Sequence, residues 1–279
     1  MKPKPTLGSE YNPQLLNLVR SLCLFISTKI GDFSNDFVVA GGLVPILIIQ
    51  QDPPPMGADK HVGTRDLDLG FSLGILDSKR YQEFAARLRS AGFTPDFSKE
   101  GNQILQRWRL KEDIGATVDF LIPQSSPAEV GGTIKHLESD FGAIITPGLE
   151  LAFRDRIRVT MSGETPLGET AQRDVWVCGP GAFIALKALA FASRGENKDA
   201  YDLYYVVRNF GIGPEQVAKY LAPLLDNSFA RDAVRILRSD FANPESIGPS
   251  RVSRFLFGEP DAETQADVAG YINQLLTFI

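Results

Sequence analysis

Cysteine and histidine are both scarce in this chain of 279 residues, which contains two of each. Cys23 and Cys178 lie far apart in apolar stretches, so they argue against a disulfide framework or a cysteine-based zinc site and are expected to be small buried side chains. His61 and His136 lack the spacing of metal ligands. His61 falls in a segment whose composition predicts an exposed loop, where a histidine could touch a nucleotide but commonly has no role. Neither histidine is therefore assigned one.

A long apolar run is also absent. No stretch approaches the roughly 20 apolar residues that cross a bilayer. The start, Met1-Lys2-Pro3-Lys4-Pro5, leads into polar sequence rather than the apolar stretch of a signal peptide. We therefore expect a cytoplasmic protein that has no membrane partner.

Positive charge is in short supply, since 29 Lys and Arg residues face 34 Asp and Glu residues for a net charge of −5. This balance argues against a protein that coats nucleic acid by bulk electrostatics, although it leaves room for a local basic patch that binds one RNA end or a triphosphate. The rest of the composition is ordinary for a globular protein, and the length suits one large domain or two modest ones.

The first half of the chain mixes helical and extended patterns. Apolar residues at near-helical spacing predict a helix over 13–30, and a short buried strand over 37–40 runs into Gly41-Gly42. Residues 51–63 contain three consecutive prolines, a composition that predicts an exposed, mobile connection which could act as a lid. Further helices are predicted over 43–50 and 78–91, and further strands over 65–73, 93–97, 103–110 and 116–122.

The second half becomes helical after residue 180. Short strands are predicted over 142–145, 157–159 and 175–177, followed by helices over 182–193, 199–210, 214–225, 229–240 and 262–278. We therefore predict an α/β (α+β) fold, with a mixed-sheet core over residues 1–180 and a C-terminal helical domain over residues 181–279. The site is expected in the cleft between them.

Three aspartates fall on neighbouring predicted strands. Asp66 and Asp68 alternate with Leu67 and Leu69, so both carboxylates point to the same face of their strand, and Asp119 lies within a later strand. Mg²⁺ prefers oxygen ligands and is usually held by one or two carboxylates together with substrate phosphates. The aspartates therefore predict a site for Mg²⁺ or Mn²⁺, and a second ion shared with Asp119 could activate an acceptor hydroxyl.

Gly41 and Gly42 follow the buried strand and suit the binding of phosphate. Without a Cβ, their backbone N–H groups can approach phosphate oxygens closely. A lone Gly-Gly pair is more often only a turn, and a lone Asp-x-Asp pair is more often a solvated strand face. Their order along the chain and their placement on strands favour the functional interpretation.

These motifs resemble the nucleotidyltransferase superfamily. Its pattern is a hydrophobic residue with Gly-Gly or Gly-Ser, a spacer, an acid-hydrophobic-acid triplet and a third acid on a later strand. Here the matching residues are Ala40-Gly41-Gly42, Asp66-Leu67-Asp68 and Asp119. The spacer is longer than usual, and the proline-rich segment 51–63 accounts for the excess.

A more specific motif extends the likeness. Leu186-Lys187-Ala188-Leu189-Ala190, Arg194, Lys198-Asp199 and Asp202-Leu203-Tyr204 resemble the signature of AbiEii-like toxins, the nucleotidyltransferases of type IV toxin–antitoxin systems. The resemblance covers most of residues 35–210. It implies a nucleotidyltransferase core, an NTP donor, a possible antitoxin protein as partner and, as in some relatives, a tRNA 3′ end or other RNA as acceptor.

The resemblance also implies roles for individual residues. Asp66, Asp68 and Asp119 would be catalytic and bind metal, with Asp119 helping to deprotonate the acceptor. Lys187 would neutralise the β- and γ-phosphates, because an apolar helix would not bury a lysine without a purpose. The remaining expected residues are Asp202, as a catalytic group, and Gly41, Gly42, Arg65 and Asp199, as nucleotide-binding groups. Asp199 and Asp202 share a helical face and could instead orient Lys187, complete the acceptor site or cap a helix.

The acceptor is the least determined part of the function. Arg154, Arg156 and Arg158 alternate, so an extended backbone would line them up for an RNA phosphate chain, although a solvated edge strand explains them equally well. Arg107 and Arg109 raise the same question. Two alternatives stay open: an enzyme that modifies a small molecule such as an aminoglycoside, or a protein, and a catalytically silent nucleotide-binding module.

Overall fold

The computed structural model describes residues 5–55, 57, 59–72, 78–111 and 115–279. Its described strands form one sheet of nine. They are β1 (Phe37–Ala40), β2 (Asp66–Phe71), β3 (Phe93–Phe97), β4 (Gln103–Leu110), β5 (Thr117–Pro123), β6 (Ile134–His136), β7 (Gly142–Thr146), β8 (Arg156–Glu164) and β9 (Thr170–Cys178). Of the positions considered above, residues 1–4, Met56, Ala58 and Leu73 lie outside the described residues.

The sheet is mixed, as predicted. Its main order is β3-β4-β5-β2-β1-β9-β8, and β7 pairs with both β5 and β6. The pairs β2–β5, β5–β7 and β1–β9 are parallel, whereas β1–β2, β3–β4, β4–β5, β6–β7 and β8–β9 are antiparallel. The strands that carry the aspartates, β2 and β5, are therefore direct neighbours near the middle of the sheet.

Helices surround the sheet and make up most of the chain after residue 180. They are α1 (Pro13–Lys29), α2 (Val44–Ile48), α3 (Ser78–Ser90), α4 (Leu151–Arg154), α5 (Pro180–Arg194), α6 (Asn197–Asn209), α7 (Pro214–Leu221), α8 (Ser228–Asp240), α9 (Ile247–Phe257) and α10 (Ala262–Thr277). None of the helices in the described ranges is long and apolar enough to cross a membrane.

The buried apolar side chains form one continuous core. It runs from Val19 on α1 through Phe120 in the sheet and Phe183 on α5 to Leu275 on α10. The core therefore crosses residue 180, and the division into an α/β core and a separate helical domain stays a prediction. Helix α5 contributes most to this continuity, because it is buried on most of its surface and packs against α6, α7 and α8.

Strand β6 and helices α4 and α9 are absent from the sequence prediction, and the β8–β9 hairpin is longer than predicted. Helix α9 contains Gly248-Pro249, a pair that disfavours a helix interior. Pro249 lies in the first turn, where its missing N–H has no intrahelical partner to lose, and Gly248 packs where a Cβ would lie 2.3 Å from the Phe241 ring. The β8–β9 hairpin is also much longer than the predicted strands over 157–159 and 175–177, since its distal half is polar and exposed.

The proline-rich segment 51–63 is attached to α6, which differs from the mobile connection that its composition predicts. The Tyr205 hydroxyl donates to the carbonyl of Asp59 at 3.1 Å, and Arg208 donates to the carbonyl of Gly57 at 3.0 Å. The backbone N–H of Val62 donates to the Tyr201 hydroxyl at 3.3 Å. These contacts hold the described part of the segment along one face of α6.

Candidate active site

Strand register brings the three aspartates into one row. Asp68 pairs with Ala40 on β1 and with Asp119 on β5, and Asp66 pairs with Thr117. Leu67 is fully buried in the core behind β2, so alternation turns Asp66 and Asp68 toward the open face. We call Asp66, Asp68 and Asp119 the carboxylate row.

Arg107 neutralises one end of the row. It pairs with Asp119 across β4 and β5, and its guanidinium donates from Nε to Asp119 Oδ1 at 2.7 Å and from NH2 to Oδ2 at 2.5 Å. The same NH2 lies 3.6 Å from Asp66 Oδ2. Burial raises the pKa of Asp119, and the bidentate pair with Arg107 opposes that effect.

Gly41 lies directly against the central aspartate. A Cβ on Gly41 would lie 1.7 Å from Asp68 Oδ2, and its φ of +64° is one that residues with a side chain rarely adopt. Among the described residues, no cation lies as close to Asp68 as Arg107 lies to Asp119. Desolvation, followed by the negative charges of Asp66 and Asp119, raises the pKa of Asp68 to about 7.

A second group of charges faces the row from the helices. Lys187 on α5 has its Nζ 2.9 Å from Asp199 Oδ1 and 2.7 Å from Asp202 Oδ2. Arg194 holds Asp199 with two hydrogen bonds of 2.7 and 2.8 Å, and Lys198 contacts Asp202 at 2.6 Å. We call these five residues the cationic wall. Three cations and two carboxylates leave it a net charge of +1.

Four of the five wall residues are buried, whereas the Arg194 side chain is 49% exposed. Lys187 is 8% exposed, Asp199 1% and Asp202 0%. Burial lowers the pKa of Lys187, but the charges of Asp202 and Asp199 outweigh that effect and leave the pKa raised. Burial likewise raises the pKa of Asp202, and Lys187 and Lys198 reverse this to a pKa well below its usual range. Lys187 and Asp202 are therefore ionised at neutral pH, whereas burial lowers the pKa of Lys198.

His61 packs behind the cationic wall, so the prediction that it lies in an exposed loop is wrong. Its side chain is buried, with Nε2 2.9 Å from Asp202 Oδ1. The N–H of Gly63 donates to Nδ1 at 3.1 Å, which makes Nδ1 an acceptor and leaves the proton on Nε2. Burial lowers the pKa of His61 to about 4, and the adjacent Lys198 adds to that effect. His61 is thus a neutral donor to Asp202.

The glycine turn lies beside the wall. A Cβ on Gly42 would lie 2.7 Å from Thr64 Oγ1 and 3.4 Å from Lys198 Nζ. Only a residue without a side chain lets the lysine ammonium and the threonine hydroxyl approach this backbone. Backbone N–H groups, a hydroxyl and an ammonium thus meet at one point, a combination suited to phosphate oxygens.

One cavity of about 440 Å³ contains the whole arrangement. It lies between the open face of the sheet and helices α5 and α6, and it continues along an apolar side that includes Leu121, Ile144 and Phe183. All nine residues expected from the sequence line it: Gly41, Gly42, Arg65, Asp66, Asp68, Asp119, Lys187, Asp199 and Asp202.

The three carboxylates of the row do not converge on a position for a single metal ion. Within the described ranges, no three His, Cys, Asp or Glu side chains are placed to hold a single metal ion. Both oxygens of Asp119 are bound to Arg107. Asp66 and Asp68, at adjacent positions of one strand face, are the carboxylates left to share an ion.

Four of the five arginines considered as RNA contacts lie outside the lining of the cavity. Arg109 contacts Asp96, Arg158 contacts Asp174, and Arg156 lies over the Trp176 ring. Arg154 ends helix α4 and pairs with Asp226. The expectation that Arg154, Arg156 and Arg158 share one extended strand face is therefore wrong, because a helix interrupts the alternation.

Comparison with known sequences agrees with this geometry. A profile of the nucleotidyl transferase AbiEii toxins of type IV toxin–antitoxin (TA) systems matches residues 31–278 of the 279. The chain belongs to the AbiEii family. No curated protein sequence matches the chain significantly. The AbiEii assignment makes the protein a nucleotidyltransferase toxin of a type IV system, with a nucleotide substrate and an antitoxin partner.

Among the cavity residues to which the sequence analysis gave no specific role are Tyr11, Thr64, Arg107 and Lys198. Lys198 and Arg194 stand in the AbiEii motif, so that motif itself could have indicated Lys198. The ion pair of Arg107 depends on the β4–β5 register, which the sequence does not display. Tyr11 precedes the region that the family profile covers.

Proposed function

We propose that the protein transfers a nucleoside monophosphate from an NTP to the 3′ end of a tRNA, with the help of Mg²⁺ or Mn²⁺. The observation that carries this proposal is the carboxylate row in register beside the Gly41-Gly42 turn, under a cationic wall. Acidic groups that hold metal and cationic groups that hold phosphate are the two requirements of nucleotidyl transfer.

The residues fit a divalent cation at one position of the row. Asp66 and Asp68 present hard oxygen donors on one strand face inside the cavity, and no described cation is as close to Asp68 as Arg107 is to Asp119. Two like charges at this spacing repel each other unless a cation lies between them. Such an ion would supply charge neutralisation to the triphosphate oxygens. We assign it to Asp66 and Asp68, and Asp119 could join only by releasing Arg107.

The chain's own cations would hold the rest of the triphosphate. Gly41, Gly42 and Thr64 would bind phosphate oxygens beside Lys198, and Lys187 would face the departing pyrophosphate. Negative charge that develops on a leaving group is stabilised most by cations already held in place. Asp199 and Asp202, which are buried beneath the lysines, would act as positioning residues.

RNA as the acceptor rests on the family and on the form of the cavity. Arg154, Arg156 and Arg158 do not share one strand face, which removes one argument for RNA. A single 3′ end, however, needs few phosphate contacts. A cationic small molecule is the second candidate, because Asp96 and Glu196 also line the cavity. Such an acceptor would be attracted to these acidic groups.

Transfer assays with labelled nucleotides separate these candidates. Purified protein is incubated with Mg²⁺ or Mn²⁺, with each of the four labelled NTPs separately, and with either total tRNA or a panel of aminoglycosides, and EDTA serves as the metal-free control. We expect label on tRNA from one preferred NTP, and none with Asp68→Asn. Label confined to an aminoglycoside would establish the second candidate, and transfer that persists in EDTA would refute the metal assignment.

A further inference from the structure

Tyr11 reaches the cavity from a part of the chain that the family profile leaves out. The profile begins at residue 31, whereas Tyr11 stands before α1 and lines the cavity together with the carboxylate row and the cationic wall. The AbiEii assignment therefore accounts for the chemistry of the site but says nothing about this aromatic side chain.

The segment that carries Tyr11 is fixed in place. The Glu10 carboxylate accepts two backbone N–H groups of the preceding turn, at 2.7 and 3.0 Å. Gly8 is buried, and a Cβ there would lie 3.3 Å from the Phe255 ring, so the turn packs tightly on α9. Asn12 then caps α1 by accepting from the N–H of Gln14 at 2.8 Å. Tyr11 is thus held between a packed turn and a capped helix.

The surroundings of Tyr11 leave its polar group available. Its ring centroid lies 5.4 Å from Lys198 Nζ, and it meets the Phe255 ring edge-on at 5.9 Å. Its hydroxyl forms no hydrogen bond with the part of the chain that the structure describes. Burial and the nearby charges of Asp202 and Asp66 raise the pKa of Tyr11, so the phenol keeps its proton and can donate.

The ammonium of Lys198 connects Tyr11 with the phosphate turn. Lys198 Nζ lies against Gly42 on one side and beneath the Tyr11 ring on another. A triphosphate that occupies the turn and contacts Lys198 therefore leaves its nucleoside within reach of the tyrosine. Aromatic rings bind nucleobases by stacking, and a free hydroxyl can distinguish bases or a ribose by hydrogen bonding.

We propose that Tyr11 is a specificity residue that recognises the nucleoside of the donor nucleotide. This inference rests on the proposed function for the location of the triphosphate. The segment before residue 31 would then determine which NTP the common AbiEii machinery uses.

Binding experiments test this inference without the transfer reaction. Tyr11→Ala and Tyr11→Phe are compared with Tyr220→Ala, a tyrosine outside the cavity lining, by calorimetric titration with non-hydrolysable analogues of the four NTPs in Mg²⁺. Stacking on one base predicts that Tyr11→Ala weakens the preferred analogue about 10-fold. The differences among the four bases should shrink as well. Tyr11→Phe should lose less affinity for the preferred analogue, and Tyr220→Ala should lose none. Inorganic triphosphate, which lacks a nucleoside, should bind wild type and Tyr11→Ala equally.

Each other result counts against the inference. Unchanged affinity of Tyr11→Ala for every analogue overturns it, as does an equal loss for inorganic triphosphate, which would make Tyr11 a support for Lys198. A raised KM for RNA with unchanged analogue binding would assign Tyr11 to the acceptor instead. If the wild-type protein labels RNA and the Tyr11 substitutions leave analogue binding unchanged, this inference alone fails. If wild type binds none of the analogues, the NTP donor fails as well.

Discussion

Replacing Lys187 with methionine removes the cation that two buried carboxylates share. Lys187→Met keeps the length of the side chain but deletes the ion pairs of 2.9 Å to Asp199 and 2.7 Å to Asp202. Each carboxylate keeps one cation, since Arg194 still holds Asp199 and Lys198 still holds Asp202. The wall falls from a net charge of +1 to 0.

The remaining partners set the expected magnitude. Breaking a buried ion pair costs about 3–5 kcal/mol when one charge is left alone, so partial compensation places Lys187→Met near the lower end, at about 3 kcal/mol. For a chain of this size, that cost corresponds to a fall in Tm of about 5 °C. Loss of a cation that faces the departing pyrophosphate should also slow transfer on the order of 100-fold.

Chemical denaturation and the labelled-NTP assay measure the two effects separately. Lys219→Met is the matched control, because Lys219 pairs with Glu215 at 2.8 Å on an exposed helix face and should cost at most about 1 kcal/mol. A Lys187→Met protein as stable as this control would refute the buried network. Reduced stability with an undiminished transfer rate would make Lys187 a structural cation and refute its contact with the triphosphate.

Five further substitutions, one of them a rescue, test neighbouring parts of the site. Gly41→Ala should abolish transfer, since its Cβ would collide with Asp68 Oδ2 and its φ of +64° adds a strain of about 1 kcal/mol; wild-type kinetics would show that the turn does not abut the aspartate. Arg107→Gln should destabilise the fold by about 3 kcal/mol by leaving Asp119 buried without its cation. The double variant Arg107→Gln with Asp119→Asn should regain stability but not transfer. If denaturation shows no such regain, the Arg107–Asp119 ion pair is contradicted. Asp68→Asn should lose transfer yet bind inorganic triphosphate more tightly in EDTA, as calorimetry would show; weaker binding would argue against electrostatic repulsion by the row. The pKa of His61 is about 4 in the folded protein and about 6.5 in the unfolded chain. Its contribution to stability is therefore present above pH 6.5 and is lost as pH falls toward 4. The free energy of unfolding should fall by about 2 kcal/mol between pH 7 and pH 5 for this reason. His61→Asn should lack this component when both proteins are denatured at the two pH values, and an identical pH dependence would show that His61 does not cause it.

The carboxylate row could be predicted from the sequence because it depends on short-range regularities. Alternation along β2 places Asp66 and Asp68 on one face, and a buried strand followed by Gly41-Gly42 marks the phosphate turn. The pairing of Asp119 with Arg107 depends on how β4 lies beside β5, a relation between segments that sequence periodicity does not contain.

The segment around His61 shows why local composition can mislead. Three prolines exclude a helix and make a loop certain, but they do not determine whether the loop is free. Tyr201 and Tyr205, some 140 residues later in sequence, hold that loop, and Asp202 between them accepts from His61. Burial here is set by tertiary contacts of α6, which no window around residue 61 could reveal.

The charges of the carboxylate row and of the cationic wall bear on whether a nucleotide needs an added cation in order to bind. With every group ionised, the carboxylate row with Arg107 carries −2 and the cationic wall carries +1, and protonation of Asp68, whose pKa is about 7, would bring the row to −1. Arg65, Asp96 and Glu196 also line the cavity, so with every lining group ionised a triphosphate meets a net charge of −2 there. The wall alone cannot offset that repulsion, because each of its cations already has a carboxylate partner. We therefore expect binding to strengthen when positive charge enters with the nucleotide, and we propose that a divalent cation held by Asp66 and Asp68 would supply it.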